Sequence, residues 1–113
     1  MSDSASRPPV RDEQARGRFV VEQDGAVAEL VYEEQPGRLV LVHTGVPEAL
    51  GGRGIGGALV RAATARAHGE GRTVAPWCPF ARRWLRRHPD VAATVTIDWS
   101  PPPRAAANHG SDT

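Results

Sequence analysis

Residues 43–60 read HTGVPEALGGRGIGGALV, and this stretch decides the fold of the chain. It joins a β-rich run at 38–44 to a stretch of apolar residues at helical spacing. Glycines at the start of a helix let a ligand approach the backbone, because no Cβ atoms intervene. The free N–H groups of the first turn and the helix dipole then favour an anion. The stretch therefore predicts a phosphate-binding turn at residues 52–57.

Upstream of this stretch, the sequence predicts an antiparallel meander of three strands. Residues 18–23 form a short β-rich run, and Asp24-Gly25 is a strong signal for a two-residue hairpin turn. Residues 26–34 alternate between two faces, and a Gln-Pro-Gly turn leads from them into the run at 38–44. That run is apolar on both faces, which is typical of a central strand.

Downstream, the pattern predicts a helix over 54–68, a short strand over 72–77 and a second helix. Pro79 is suited to the first position of the second helix, and Pro89 is expected to stop it. A strand–helix–strand unit of this length favours a parallel pair with a right-handed crossover. Residues 91–99 are a candidate for a last strand.

These elements predict one α/β (α+β) domain at residues 16–99, in which a three-strand meander precedes a strand–helix–strand unit and a short final helix. A chain of 113 residues accommodates one domain at most. Residues 1–15 and 100–113 are polar, contain prolines and lack periodicity, so we expect two disordered tails.

The composition excludes several classes of protein. A single cysteine rules out an internal disulfide, and four scattered histidines without ligand spacing argue against a metal site. No apolar run reaches the roughly 20 residues of a membrane helix. The N-terminus lacks the apolar stretch of a signal peptide, so the expected location is the cytoplasm. All 14 basic residues are arginine, and without lysine there is no Walker A loop.

Charge is distributed unevenly, although the formal net charge is only +1. Residues 19–50 carry one arginine and six acids, whereas residues 51–90 carry eight arginines and two acids. The basic part suits phosphates and the acidic part suits a cation such as an amine. The alternative is a pair of solvated faces that neutralise each other.

The order of these elements resembles the GCN5-related N-acetyltransferase (GNAT) superfamily. The stretch at 43–60, followed by APWCPFARRWLRRHP at 75–89, is similar to the minimal single-domain branch of that superfamily. In the superfamily pattern Arg/Gln-x-x-Gly-x-Gly/Ala, Gly54 and Gly56 match the two small positions. Gly51 stands at the leading position, where the pattern has Arg or Gln.

The resemblance implies a splayed parallel pair of strands and acetyl-coenzyme A (acetyl-CoA) as the cofactor. The pyrophosphate would lie on residues 52–57, and the pantetheine arm would lie beside the strand end at 44–46. The arginines of the last helix are candidate partners of the 3′-phosphate, and the alternative for them is a solvated helix face. The expected coenzyme-binding residues are Thr44, Gly45, Val46, Gly51, Gly52, Arg53, Gly54, Ile55, Gly56, Gly57 and Arg82.

Two side chains are candidates for the chemistry. Cys78 precedes the helix predicted at Pro79, and a helix N-terminus stabilises a thiolate. Cys78 is a candidate general acid for the leaving thiolate, a candidate nucleophile, or a buried structural cysteine. His43 lies near the end of the central strand, where it is a candidate general base or a structural histidine.

The expected function is therefore acetyl-CoA-dependent acetylation of an exposed amine by direct attack on the thioester. A chain this short has no elements for a deep acceptor pocket, which suits a protein or peptide lysine or an N-terminus better than an enclosed metabolite. A small amine is the other expected acceptor. The alternative is a non-catalytic module that binds acyl-CoA. A nucleic-acid partner is disfavoured, because the acidic part would repel phosphates. We expect no membrane partner, and a monomer or a weak dimer.

Overall fold

Alternating apolar residues build the strands, because successive side chains of a strand point to opposite faces. Phe19 and Val21, two apart in the second strand, are both buried in the main core. The computed structural model describes residues 9–103. Its five-stranded sheet follows chain order: β1 (Arg11–Glu13), β2 (Arg18–Gln23), β3 (Ala26–Gln35), β4 (Arg38–Gly45) and β5 (Thr73–Pro76).

Three helices complete the fold: α1 (Ile55–Glu70), α2 (Pro79–Arg87) and α3 (Pro89–Ala92). Short 3-10 turns occupy Gln14–Arg16 and Glu48–Leu50. None of the helices within residues 9–103 is long and apolar enough to cross a membrane.

The predicted topology is confirmed. Strands β2, β3 and β4 form an antiparallel meander, and β4 pairs with β5 in parallel. The core lies between one face of this sheet and α1. Leu30 and Leu41 from the sheet meet Leu59 and Ala63, which stand four residues apart on α1.

The ordered domain begins before the predicted boundary at residue 16. Strand β1 lies inside the segment expected to be a tail, and it pairs with β2. Its side chains are held in place by Arg18, which donates to Glu13 at 2.8 Å, and by Tyr32, whose hydroxyl donates to Asp12 at 2.5 Å. The rest of that predicted tail, residues 1–8, lies outside the described residues, as do residues 104–113.

The last strand predicted over 91–99 does not form. The chain instead turns through α3, and the Thr94 hydroxyl donates to the Val91 carbonyl at 2.7 Å. Beyond this turn the chain forms a single parallel bridge to β5, at Ile97 opposite Val74, and the backbone groups of Thr96 and Asp98 make its two hydrogen bonds to Val74. Pro89 ends α2 as predicted and also begins α3.

The parallel pair β4–β5 opens at its carboxyl end. The paired residues extend from Arg38 opposite Thr73 to Leu41 opposite Pro76. The Leu41 carbonyl then accepts hydrogen bonds from both Trp77 and Cys78, as the chain leaves the sheet for α2. A β-bulge stands at the same point, since Val31 faces His43 whereas Tyr32 faces Leu41. The end of β4 therefore keeps a partner only on its β3 side.

Helices α1 and α2 meet at two glycines. A Cβ atom at Gly56 would lie 2.7 Å from Cζ of Phe80, and one at Gly57 would lie 2.4 Å from Nε1 of Trp84. No other residue lets the two helices approach this closely. Gly69, on the same helix, has nothing within 4 Å of the equivalent position.

A polar cluster joins β1, β3 and α1. Arg66 lies within ion-pair distance of Asp12, Glu34 and Glu70, and its Nη1 also donates to the Tyr32 hydroxyl at 2.9 Å. Burial and the neighbouring Asp12 carboxylate raise the pKa of Tyr32 to about 12. Hydrogen bonding to Arg66 holds the pKa of Glu34 below its usual value.

Substituting Gly57→Ala should destabilise the protein by about 1–3 kcal/mol, because the new methyl group overpacks against the Trp84 indole. The matched substitution Gly69→Ala should stabilise it by about 0.5–1 kcal/mol, because alanine favours the helix and meets no neighbour. Urea unfolding of both variants measures the two changes. Equal stabilisation by both would contradict the contact between the helices.

Tyr32 is the only tyrosine, so phenolate absorbance reports its titration alone. We expect a midpoint near 12 in the folded protein and near 10 in the unfolded chain. Between these values the unfolded state binds fewer protons, so stability should fall as pH rises through this window. Tyr32→Phe should remove this fall. A folded-state midpoint near 10 would contradict the burial of the hydroxyl.

Candidate functional site

The turn before α1 is shaped by two glycines with left-handed backbone. Gly52 has φ +76° and Gly54 has φ +75°, a region that costs other L-residues roughly 1–2 kcal/mol. A Cβ atom at either position would meet nothing within 4 Å. The turn therefore leaves open space in front of the helix start.

The first turn of α1 presents free backbone donors to that space. Gly54 is the N-cap and has no side chain to accept a hydrogen bond from the helix. Within residues 9–103, the N–H groups of Ile55, Gly56 and Gly57 have no acceptor, and the first closing bond joins the Ala58 N–H to the Gly54 carbonyl at 3.0 Å. Together with the dipole of a 16-residue helix, these donors have the chemistry that an anion requires.

A cavity of about 1160 Å³ lies over this helix start. It is bounded by the end of β2, the loop after β4, the first three turns of α1 and one side of α2. The lining residues used below are Val46, Glu48, Gly51, Gly52, Arg53, Gly54, Ile55, Gly56, Gly57, Arg61, Phe80, Trp84 and His88.

Two arginines line the cavity, and their surroundings differ. Nη1 of Arg53 lies 3.0 Å from the carboxylate of Asp24 in the β2–β3 turn, so its charge is already partnered. Arg61 lies over the Trp84 ring, with its guanidinium carbon 5.3 Å from the ring centroid. No carboxylate within residues 9–103 forms an ion pair with Arg61. This charge therefore remains available to a ligand.

The aromatic wall of the cavity comes from α2. Trp84 and His88, four residues apart, stack with ring centroids 3.8 Å apart and planes 13° from parallel. Nδ1 of His88 donates to the Trp84 carbonyl at 2.8 Å, because a carbonyl oxygen can only accept. Stacking on one side and Gly57 at the indole edge hold Trp84 in place.

Cys78 and Thr44 form a contact between the opened strands. Cys78 is the N-cap of α2, and its side chain is 4% exposed. Its Sγ donates to the Thr44 hydroxyl over 3.3 Å. Thr44 faces Leu30, a core residue, so this contact lies on the α1 side of the sheet.

His43 lies on the opposite face. Its cross-strand partner is Val31, which alternates with the core residues Leu30 and Tyr32. The side chain is exposed and faces Gly45, where a Cβ atom would lie 3.4 Å from Nε2 of His43. The candidate base and the candidate acid therefore stand on different sides of the β4 end.

The structure brings most of the predicted coenzyme residues together. Val46 and all the predicted positions from Gly51 to Gly57 line the cavity, whereas Thr44 and Gly45 lie just before it in the chain. The Arg82 side chain is directed elsewhere, since it donates to the Ser100 carbonyl at 3.3 Å. Neither His43 nor Cys78 is among the lining residues.

Arg61 was missing from the predicted site. Its position in the sequence could have indicated it. Arg61 follows Gly57 by four residues, and residues at this spacing lie on the same side of a helix. The sequence predicted that Gly56 and Gly57 serve the approach of a ligand to the backbone, and this explanation was also incomplete. Both line the cavity, yet the atoms that a Cβ would strike belong to Phe80 and Trp84.

The mixed sheet, its opened parallel pair and the glycine turn define the class of fold that the sequence resembles, that of the GNAT acetyltransferases. The chain belongs to this family: the model of the GCN5-related N-acetyl-transferase family matches residues 18–95. Acetyl transfer is the reaction class of the family, and acetyl-CoA is its typical cofactor.

Solved structures share this fold. One of them is the NMR solution structure of a GCN5-like protein from Staphylococcus aureus, proposed to be an N-acetyltransferase. The match has a TM-score of 0.64, covers 82% of this chain and 92% of that chain, and has 24% sequence identity. No curated protein matches the sequence.

The residues of the cavity fit coenzyme A. The pyrophosphate needs donors without Cβ atoms in front of them, and the turn at Gly52 and Gly54 meets this need. The free N–H groups at the start of α1 supply the donors, and Arg61 supplies the positive charge that Arg53, paired with Asp24, does not. The end of β4, which is paired with β3 but not with β5, offers the backbone groups of its free edge to the amides of the pantetheine arm.

Gly54→Ala should weaken binding of CoA at least tenfold, because its Cβ would project into the turn that faces the pyrophosphate. Gly71→Ala is the matched control. Gly71 is also left-handed, with φ +67° and open space around it, but it caps the other end of α1. Both variants should lose similar stability, about 1–2 kcal/mol. Calorimetry that showed the same CoA affinity for both variants would refute a coenzyme site at this turn.

Proposed function

We propose that the protein is an acetyl-CoA-dependent N-acetyltransferase that acts on an exposed amine of a protein, a peptide or a small molecule. The observation that carries this proposal is the free helix start at Gly54–Gly57, which opens into a cavity next to the splayed end of β4. Family membership supports the reaction class. The positions of the chain's own residues support the role that is proposed below for each of them.

Backbone groups and positive charge bind the coenzyme in this proposal. The N–H groups of residues 55–57 hold the pyrophosphate, and the free edge of β4 near Val46 aligns the pantetheine arm. When bound, acetyl-CoA supplies an acetyl group activated as a thioester. A backbone N–H near Val46 polarises its carbonyl, which stabilises the charge that develops there.

His43 is proposed to take the proton that the acceptor amine releases. Its ring is exposed on the sheet face away from α1, where an amine on another molecule can reach it directly or through a water. An imidazole nitrogen is a common acceptor for such a proton in enzymes. Nε2 is the nitrogen that faces Gly45 at the opened strand end.

Cys78 is proposed to supply the proton for the departing thiolate, through its contact with Thr44. Because the Thr44 hydroxyl accepts the Cys78 thiol proton, its own proton is free to be donated towards the strand opening. This arrangement favours Cys78 as a general acid over a nucleophile, since the sulfur is buried and directed at a hydroxyl.

Binding of acyl-CoA without turnover is the second candidate function. It is favoured by one observation, that neither His43 nor Cys78 lines the cavity. In this case, the helix start would bind its ligand, and His43 and Cys78 would have structural roles only.

One assay separates the two functions. The protein is incubated with acetyl-CoA and a panel of lysine peptides, N-terminal peptides and polyamines, and mass spectrometry follows the acetylated product. We expect product with at least one acceptor class, and a fall in kcat of about 100-fold or more in Cys78→Ala with unchanged CoA affinity. Cys78→Ser, which keeps a hydroxyl, should retain more activity.

Calorimetric binding of CoA without product from any acceptor would select the binding module. Acetylation by Cys78→Ala at the wild-type rate would reject the role of the thiol. An acetyl group found on Cys78 in the wild-type protein would favour the nucleophile instead of the general acid.

A further inference from the structure

Arg61 is the one cavity-lining cation within residues 9–103 that no carboxylate neutralises. The other arginine of the lining, Arg53, is paired with Asp24 at 3.0 Å. Arginines elsewhere are paired or lie away from the cavity: Arg66 and Arg72 share Glu34, and Arg86 lies over Trp99. An unpaired guanidinium beside an anion-binding helix start is a position that attracts a further anion.

The geometry of α1 sets where this anion lies. Arg61 follows Gly57 by four residues, which is about one turn and about 6 Å along the axis. Side chains on a helix lean towards its N-terminus, so the guanidinium reaches back towards the turn that holds the pyrophosphate. The Trp84 ring beneath the guanidinium limits its freedom and keeps it at the cavity wall.

We propose that Arg61 binds the 3′-phosphate on the ribose of coenzyme A and thereby selects CoA over dephospho-CoA. This inference rests on the proposed function, since it assumes that the pyrophosphate lies at the start of α1. The 3′-phosphate is separated from the pyrophosphate by a single sugar, a spacing comparable to one helical turn. The guanidinium fork matches two phosphate oxygens, which lysine cannot do.

Two nearby groups bear on the charge at this position. Glu48 is the only carboxylate among the lining residues, and it belongs to the 3-10 turn after β4 rather than to α1. His88, stacked on Trp84, uses Nδ1 for the Trp84 carbonyl and therefore keeps Nε2 for the solvent or a ligand. Neither group forms an ion pair with Arg61 in the described part of the chain.

The test is calorimetric titration of the full chain with CoA and with dephospho-CoA. The wild-type protein should bind CoA about ten- to a hundredfold more tightly, the range expected for charge-assisted hydrogen bonds to one phosphate. Arg61→Gln should reduce CoA affinity to that for dephospho-CoA while leaving dephospho-CoA binding unchanged. Arg61→Lys should recover part of the difference, because it restores the charge without the fork.

Arg83→Ala is the matched control, because Arg83 is exposed on α2 and does not line the cavity. It should leave the ratio of the two affinities unchanged, and thermal melting confirms that each variant is folded. Equal binding of both ligands by the wild-type protein would overturn the role of Arg61 while the proposed function stands. Parallel loss of both ligands in Arg61→Gln would also overturn it. Binding of neither ligand to the wild-type protein would overturn both proposals.

Discussion

The structure depends on where the parallel strands stop pairing. Strands β4 and β5 pair only as far as Leu41 and Pro76. The Leu41 carbonyl then accepts hydrogen bonds from the N–H groups of Trp77 and Cys78. This pair of bonds turns the chain out of the sheet and starts α2 immediately afterwards. The bulge at Val42 bends β4 at the same level. An opened strand end, a helix start and the Cys78–Thr44 contact all follow from this one termination.

The second constraint is the close approach of the two helices. Gly56 and Gly57 allow Phe80 and Trp84 of α2 to lie against the first turn of α1. Without this contact, α2 would not form a wall of the cavity. The glycines therefore serve packing and ligand access together: Gly52 and Gly54 open the turn, while Gly56 and Gly57 bring the wall close to it.

Local pattern was sufficient to predict the meander, the parallel pair and the start of α1, because hairpin turns, alternation and glycines act over a few residues. The role of Arg61 and the aromatic wall could not be predicted in the same way. They depend on the contact between α1 and α2, in which the contacting residues, such as Arg61 and Trp84, are more than 20 positions apart in the chain. Strand β1 was missed because it has three residues and is held by Arg18 and Tyr32, side chains of other strands.

Ion pairs in the folded chain neutralise part of the charge that is unevenly distributed along the sequence. Arg53, Arg66 and Arg72 from the basic part form ion pairs with the acidic part. Arg53 pairs with Asp24, and the other two arginines pair with Glu34. These pairs agree with the interpretation that the acidic and basic parts of the sequence neutralise each other. Arg61 has no such partner in residues 9–103. Among the arginines that line the cavity, it is therefore the one to which the interpretation of the basic part as suited to phosphates still applies.

The two faces of the β4 end also separate the proposed proton transfers. Adjacent residues of a strand point to opposite faces, so Thr44 meets Cys78 on the core side while His43 is exposed on the other. A base on the open face can serve an amine carried by another molecule, and an acid on the core side is kept from bulk water. In the proposed reaction, His43 takes the proton that the amine releases, and the Cys78–Thr44 pair supplies a different proton to the leaving thiolate. The two transfers therefore use side chains on opposite faces of β4.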